Sequence, residues 1–168
     1  MADPKSSSAA GEAPQELFLT RIVGAPREMV FKAWTDPKQV VQWWGPRGFT
    51  NQVCEWDARP GGAIRIHMRG PDGTVYPMGG VFKEVVEAER LVFISTALVD
   101  ENSEPLFEVL NTITFQDFYS ITKLRLHARL LTPEFKMTPQ VAAALSGMEQ
   151  GWSESLYRLA DHLDAVRR

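Results

Sequence analysis

Two periodicities divide the chain. From Thr138 onward, apolar residues recur in steps of three and four: Leu145, Met148, Trp152, Leu156, Leu159, Leu163 and Val166. That spacing predicts one stripe of an α-helix about seven turns long. Thr138 is suited to cap the first amides, and Pro139 to the first helical position, where no donor is needed. Glu149, Glu154, Arg158, Asp161 and Asp164 fall on the opposite face and are expected to meet water. Between residues 17 and 131 the period drops to two, the signature of strands half-buried on one face.

The first strand runs over Leu17–Val23, and strand character resumes at Val53. Ala63–Arg69 alternates cleanly, with Ile64, Ile66 and Met68 on the inner face and Arg65, His67 and Arg69 on the outer. Pro71-Asp72-Gly73 fits a three-residue hairpin loop with Gly73 in the left-handed conformation. That loop length sets the register, pairing Met68 with Tyr76, Ile66 with Met78 and Ile64 with Gly80. After Glu87–Arg90 comes a strand over Leu91–Ser95, then a polar loop over Val99–Pro105. A last hairpin runs over Glu108–Phe115 and Ile121–Leu131, turning through Gln116–Ser120. Val109, Asn111, Ile113 and Phe115 face inward from its first arm, and Leu124, Leu126, Ala128 and Leu130 from its second.

Two short helices interrupt the strands. Ala25-Pro26 opens one that runs through Trp34; Asp36 caps and Pro37 starts another, which ends near Trp43-Trp44-Gly45-Pro46. Adjacent tryptophans at such a corner point apart, so one is expected to pack under the loop and the other to line an opening. The order is therefore strand, two short helices, about six antiparallel strands and a long helix. The fold class is α+β, with a curved antiparallel sheet of six to seven strands gathered around the C-terminal helix. Residues 1–14 are small and polar and read as a flexible tail, leaving 15–168 as a single domain.

Composition narrows the function. A net charge of −3 argues against a nucleic-acid or anionic-membrane surface. No apolar run reaches the ~20 residues that span a bilayer, and the first residues lack an apolar signal core, so a cytoplasmic location is expected. One cysteine, Cys54, excludes an internal disulfide; beside Val53 and Trp56 it reads as a buried, inert thiol.

Catalytic signals are sparse. His67, His127 and His162 share no metal-ligand spacing, and two of them sit on outer strand faces. Ser153 and Ser155 lack a nucleophile elbow. Gly61-Gly62 and Gly79-Gly80 precede no helix and are not phosphate loops. Gly80, inward and opposite Ile64, is expected to leave room for the helix or a ligand, and Gly147 and Gly151 to allow close packing against the sheet. Glu84, nominally in phase with Phe82, is expected to be exposed near the strand end. Tyr76 and Asn111 are the polar groups aimed inward, and each needs a partner in backbone, water or ligand. The aromatic set Trp43, Trp44, Phe49, Trp56, Phe93 and Trp152 reads mostly as core.

Several stretches resemble the activator-of-heat-shock-protein-90-ATPase-like domains. Val30–Pro37 and Trp43–Thr50 are similar to their opening signature. Pro60-Gly61-Gly62, Met68–Gly73 and Tyr76-Pro77-Met78 are similar to their central hairpin. Glu89–Phe93 and Gly151-Trp152 with Leu156, Leu159 and Leu163 complete the likeness. The resemblance implies the helix-grip fold of the SRPBCC, START or Bet v I-like superfamily. It departs at Gln116–Ser120, where such domains carry a glycine- and acid-rich turn and this chain carries Phe118 and Tyr119.

The leading expectation is a non-catalytic binding domain, without cofactor or metal, for a small apolar or lipid-like molecule held between sheet and long helix. The expected lining is Trp44, Phe49, Ile66, Met68, Tyr76, Met78, Phe93, Asn111, Met148, Trp152 and Leu156. One alternative is an aromatase or cyclase of the same superfamily, with Tyr76 as the acid or base. Another is an interaction module: a chaperone regulator, a stress-related partner, or a homodimer joined through Phe118 and Tyr119.

Overall fold

The computed structural model describes residues 15–99, 105–133 and 136–167, without the side chains of Cys54, Leu98, Val99 and Pro105. The expectations for the 1–14 tail, for the Cys54 thiol and for most of the 99–105 loop fall outside this set. In chain order the elements are β1 Glu16–Val23, α1 Arg27–Thr35, α2 Pro37–Trp43, β2 Thr50–Trp56, β3 Ala63–Arg69, β4 Val75–Val86, β5 Arg90–Val99, β6 Pro105–Phe118, β7 Ile121–Leu130, α3 Pro139–Ser146 and α4 Met148–Arg167.

The strands form one seven-stranded sheet in the order β1-β7-β6-β5-β4-β3-β2, antiparallel at every pair. The chain therefore begins at one edge, crosses through α1 and α2 to the other, and returns strand by strand until β7 closes beside β1. This is the helix-grip architecture, with α3 and α4 laid over the inner face. Side-chain caps start α2 and α3 as their residues dictate. Thr138 Oγ1 accepts from the Val141 amide at 3.1 Å, and Asp36 Oδ1 from the Lys38 amide at 3.0 Å.

The β3–β4 hairpin has the register its turn demands: Met68 opposite Tyr76, Ile66 opposite Met78, Ile64 opposite Gly80. Gly73 has φ 88°, the left-handed conformation that the three-residue turn requires. On β6 and β7, Val109, Asn111, Ile113, Phe115, Leu124, Leu126, Ala128 and Leu130 are all buried. Leu159 and Leu163 of α4 complete that core.

Four expectations need correction, and the outward setting expected for Glu84 gains a cause. The C-terminal helix is bent: α3 ends at Ser146 and α4 starts at Met148. The Gly147 amide still donates to Ala143 O, and the Gly151 amide to Gly147 O, so the backbone ladder bridges the bend; glycine is a common site for such a kink. Val166 is 47% exposed and does not extend the buried stripe. The last hairpin is tighter than the alternation suggests, because β6 and β7 pair out to Phe118 and Ile121. Its turn is Tyr119-Ser120 alone, with φ 54° and 72°, a primed turn whose twist matches the strands it joins. Gly80 does not open space toward the helix. A Cβ there would lie 2.0 Å from the Ile94 carbonyl oxygen, so the glycine admits the neighbouring strand. Glu84 owes its position to a β-bulge between Phe82 and Glu84, which turns it to pair with Arg90 at 2.8 Å, half-exposed.

Candidate functional site

Toward its C-terminus α4 packs directly on the sheet; toward its N-terminus it does not. A cavity of about 520 Å³ lies between the inner face of β3–β6, the bend between α3 and α4, and the loop that follows α2. Its walls are apolar: Trp44, Phe49, Met68, Met78, Phe107, Val109, Met148 and Trp152. Small residues line the helical side, Ala143, Ala144, Gly147 and Gly151. A Cβ on Gly151 would meet nothing nearer than Pro46 Cγ at 4.0 Å, and one on Gly147 only the carbonyl oxygens of Ala143 and Ala144 at 3.7 and 3.9 Å, so neither glycine makes the close sheet contact their spacing suggests. The polar members are Ser95, Thr96, Asn111, Ser155 and, at the rim, the 46%-exposed Tyr76.

The mouth is shaped by the residues after α2. Gly45 has φ 91°, a turn that other residues rarely make. Arg158 of α4 holds this turn. Its Nη1 donates to the carbonyls of Trp44 at 2.9 Å, Gly45 at 3.0 Å and Pro46 at 2.9 Å, and its Nη2 to Gln42 O at 3.3 Å. One planar guanidinium thereby gathers four carbonyls, a geometry that lysine cannot reproduce. Burial lowers its pKa from the ordinary arginine value. Glu154 seats the next residue, accepting from Gln150 Nε2 at 2.9 Å and from the Arg47 amide at 3.0 Å. Those two bonds, Gln150 first, hold its carboxyl below the usual range. Arg47 then lies over the Tyr157 ring at 4.6 Å. The polar face of α4 that was expected to meet water is in part the anchor of the cavity's lip.

Behind the wall all five tryptophans of the chain form one network. Trp34 touches Trp43, Trp44 and Trp152 at ring separations of 4.8, 6.3 and 5.9 Å. Trp44 touches Trp43, Trp56 and Trp152 at 5.5, 5.2 and 5.4 Å. The two tryptophans at the end of α2 stay in contact but take different places. Trp43 is fully buried and donates to Ala33 O at 3.0 Å, while Trp44 turns to the cavity.

Of the residues expected to line a site, Trp44, Phe49, Met68, Tyr76, Met78, Asn111, Met148 and Trp152 stand in this wall. Ile66, Phe93 and Leu156 do not. Ile66 and Phe93 are fully buried, and Leu156 is 3% exposed within the packed core. Tyr76 is a rim residue whose ring lies 5.8 Å from that of Phe49, not a buried group. Pattern reading passed over Ser155, Phe107 and the α3 alanines. The Gly147–Gly151 spacing reads as close packing, so nothing in the helix pattern points to open space.

Asn111 is the one fully buried amide in the wall. Its Nδ2 faces Ser95 Oγ at 3.0 Å and the carbonyls of Phe93 and Val109 at 3.3 Å each, but its Oδ1 receives no hydrogen bond. A buried acceptor left in this state costs about 1–3 kcal/mol. For acid–base chemistry the lining offers little: it contains no Asp, Glu, His, Lys, Arg or Cys, and Tyr76 is its one titratable group. No group of three or more potential metal ligands exists among the described residues. His127 pairs with Glu16 at 2.8 Å and stacks on Phe18; His162 sits 3.0 Å from Gln39 Oε1. No described helix is long and apolar enough to cross a membrane.

Solved structures repeat this architecture. A protein from Chromobacterium violaceum is 28% identical with a TM-score of 0.74, the match covering 89% of this chain and 97% of that one. A protein from Arthrobacter aurescens, 23% identical, superposes with a TM-score of 0.78 over 90% of this chain and 87% of its own. The AHSA1 protein from Silicibacter pomeroyi, 24% identical, gives 0.74 over 91% and 99%. No curated protein matches the sequence significantly. The family model described as activator of Hsp90 ATPase homolog 1-like protein matches residues 24–164. With most of its length inside that model, and with the helix-grip fold of the SRPBCC and Bet v I-like superfamily, the chain belongs to the activator of Hsp90 ATPase homolog 1-like family.

Proposed function

We propose that this protein binds a small, largely apolar molecule in the cavity between the sheet and the α3–α4 bend, without catalysing a reaction on it. The observation that carries this reading is the cavity itself: about 520 Å³ of space with mainly aromatic and Met walls, within the size range of ligand sites. A domain that needed only a core has no reason to hold a pair of glycines and a pair of alanines opposite that space. The aromatase or cyclase reading has less support, because its one titratable candidate, Tyr76, is half in solvent.

The test is native mass spectrometry of the purified chain, followed by calorimetric titration with lipids, sterols and aromatic polyketides. The expected result is saturable 1:1 binding of at least one class, lost in Gly151→Leu, whose side chain would enter the cavity. Absence of binding at high micromolar concentration across all three classes would refute the reading.

A further inference from the structure

The two edges of the sheet are finished differently. At β2 a bulge between Val53 and Glu55 interrupts the pairing, and Asn51 Nδ2 ties the strand to α2 through the carbonyls of Val41 at 3.3 Å and Trp44 at 2.8 Å. Both devices spoil an edge as a template for another strand. β1 has neither. It pairs with β7 without a shift along its whole length, contains no proline, glycine or lysine, and leaves Phe18 70% and Ile22 50% exposed.

The phase of the ladder says which groups of β1 are free. The Leu130 amide donates to Gln15 O at 2.9 Å, and bonded residues alternate along an antiparallel pair. Leu17, Leu19, Arg21 and Val23 therefore turn their backbone groups to β7, while Glu16, Phe18, Thr20 and Ile22 turn theirs outward. Among the described residues no backbone group outside β7 bonds to this outward row. Arg21 Nη1 donates to Thr20 O at 2.9 Å, a single exposed bond that an added strand would replace.

Charge says what fits there. On the solvent face β7 sets Arg129, His127, Arg125 and Lys123 beside Glu16, Phe18, Thr20 and Ile22. His127 is held by Glu16, but Lys123, Arg125 and Arg129 enter no ion pair among the described residues. On the other face Leu17, Leu19 and Val23 belong to the core. An added strand lays successive side chains on these two faces in turn, so acidic residues suit the first and apolar residues the second. Thr20 is small enough for a carboxylate on that strand to reach Arg125 across it, two strand spacings or about 10 Å away. A second copy is the poorer occupant. Joined edge to edge, it would set its own three cations about 14 Å from these and bring no acid but Glu16, which His127 already holds.

We propose that the β1 edge is a docking site for an extended segment of another protein, with acidic and apolar residues in alternation, added to the sheet as a further strand. The site is independent of the cavity, which lies against β3–β6.

Capped octapeptides of alternating composition test it, each titrated into the isotope-labelled full chain at pH 7 and followed by its amide resonances. The glutamate–valine peptide should bind about tenfold tighter than the glutamine–valine peptide, shifting the amides of Phe18, Thr20 and Ile22, and the lysine–valine peptide should not bind. Raising the salt to about 0.5 M should bring the first two within about twofold of each other. N-methylation of the glutamate amides, which face β1 in this pairing, should abolish binding. Arg125→Ser should weaken the acidic peptide about threefold and leave the neutral one unchanged. Equal affinity for all three compositions, retention of binding after N-methylation, or no binding at all would overturn the proposal. So would a dimer of the chain alone that Thr20→Pro dissolves, or binding to phosphatidylserine vesicles without binding to the acidic peptide.

Discussion

Helix α4 meets two different surroundings along one face. From Leu156 onward, Leu156, Leu159 and Leu163 are at most 3% exposed, pressed into the same core as Leu124, Leu126 and Phe115. In its N-terminal half Gly151, Trp152 and Ser155 continue the spacing but border a cavity, joined from the bend by Gly147 and Met148. The stripe is continuous, and side-chain volume decides what it does. Leucines at three- and four-residue steps close the gap to the sheet, whereas glycines leave it open. The bend at Gly147 brings Ala143 and Ala144 of α3 into the same wall. An amphipathic helix can thus be half scaffold and half vessel without any change in its polar pattern.

That contrast can be broken from either side. The largest effect is expected in the packed half, where Leu159→Ala should cost about 3 kcal/mol, a fall in Tm of roughly 6–12 °C for a domain this size. Met148→Ala, on the open side, should cost less than about 1 kcal/mol, because part of its surface already faces free space. Differential scanning calorimetry of the pair measures the contrast directly, and equal losses would show that the open half is packed in solution.

Arg158→Met is next in size. It takes the Arg158 donor from the carbonyls of Gln42 and Gly45, while Trp44 O keeps Asn51 Nδ2 at 2.8 Å and Pro46 O the Phe49 amide at 3.2 Å, and about 1–3 kcal/mol of stability should go with it. Arg158→Lys should recover only part of that loss, since a point charge cannot serve four carbonyls at once. Ligand dissociation should also quicken in both variants as the lip loosens, which stopped-flow mixing would detect.

Gly151→Leu sharpens the comparison by turning the open half into the packed one. Replacing a helical glycine gains about 1 kcal/mol in propensity, and the added apolar volume has room to enter. Denaturant midpoints should therefore rise slightly while ligand affinity disappears. A midpoint that fell would mean that the space at Gly151 is needed by the protein itself.

The smallest effect concerns pH. Burial lowers the pKa of His162 on the packed half, so the unfolded chain binds its proton more readily than the folded one. Its contribution to stability is therefore present above the unfolded pKa near 6.5 and is lost as pH falls through the folded value. His162→Gln should flatten the stability profile below about pH 6.5, with no change between pH 7 and 8. An unchanged acid limb would place the sensitivity elsewhere.

Much of this was legible in the order of residues. Strand alternation put Val109, Asn111, Ile113 and Phe115 on the inner face, and the Pro71-Asp72-Gly73 turn set the β3–β4 register to the residue. The caps at Asp36 and Thr138 were equally readable, because capping is local chemistry. What failed needed the third dimension. Ile66 and Phe93 have the right phase for a lining, but phase says which face a residue is on, not whether another side chain stands in front of it. Arg158 looked like any solvated residue, since nothing in the helix spacing shows that a turn with three aligned carbonyls will come to rest beside it. The two-residue tip at Tyr119-Ser120 was missed because both residues adopt left-handed backbone without being glycine.

The clustering of every tryptophan around one wall has an optical consequence. Five indoles with centroids 4.8–6.3 Å from their neighbours are close enough to share excitation, so near-ultraviolet light absorbed by any of them migrates among all. The emission of the whole chain then reports on one place rather than on an average of scattered sites. Trp44 and Trp152, which border the cavity, belong to that shared set. Whatever enters beside them should quench or shift nearly the entire intrinsic fluorescence, which makes the unlabelled protein its own sensor.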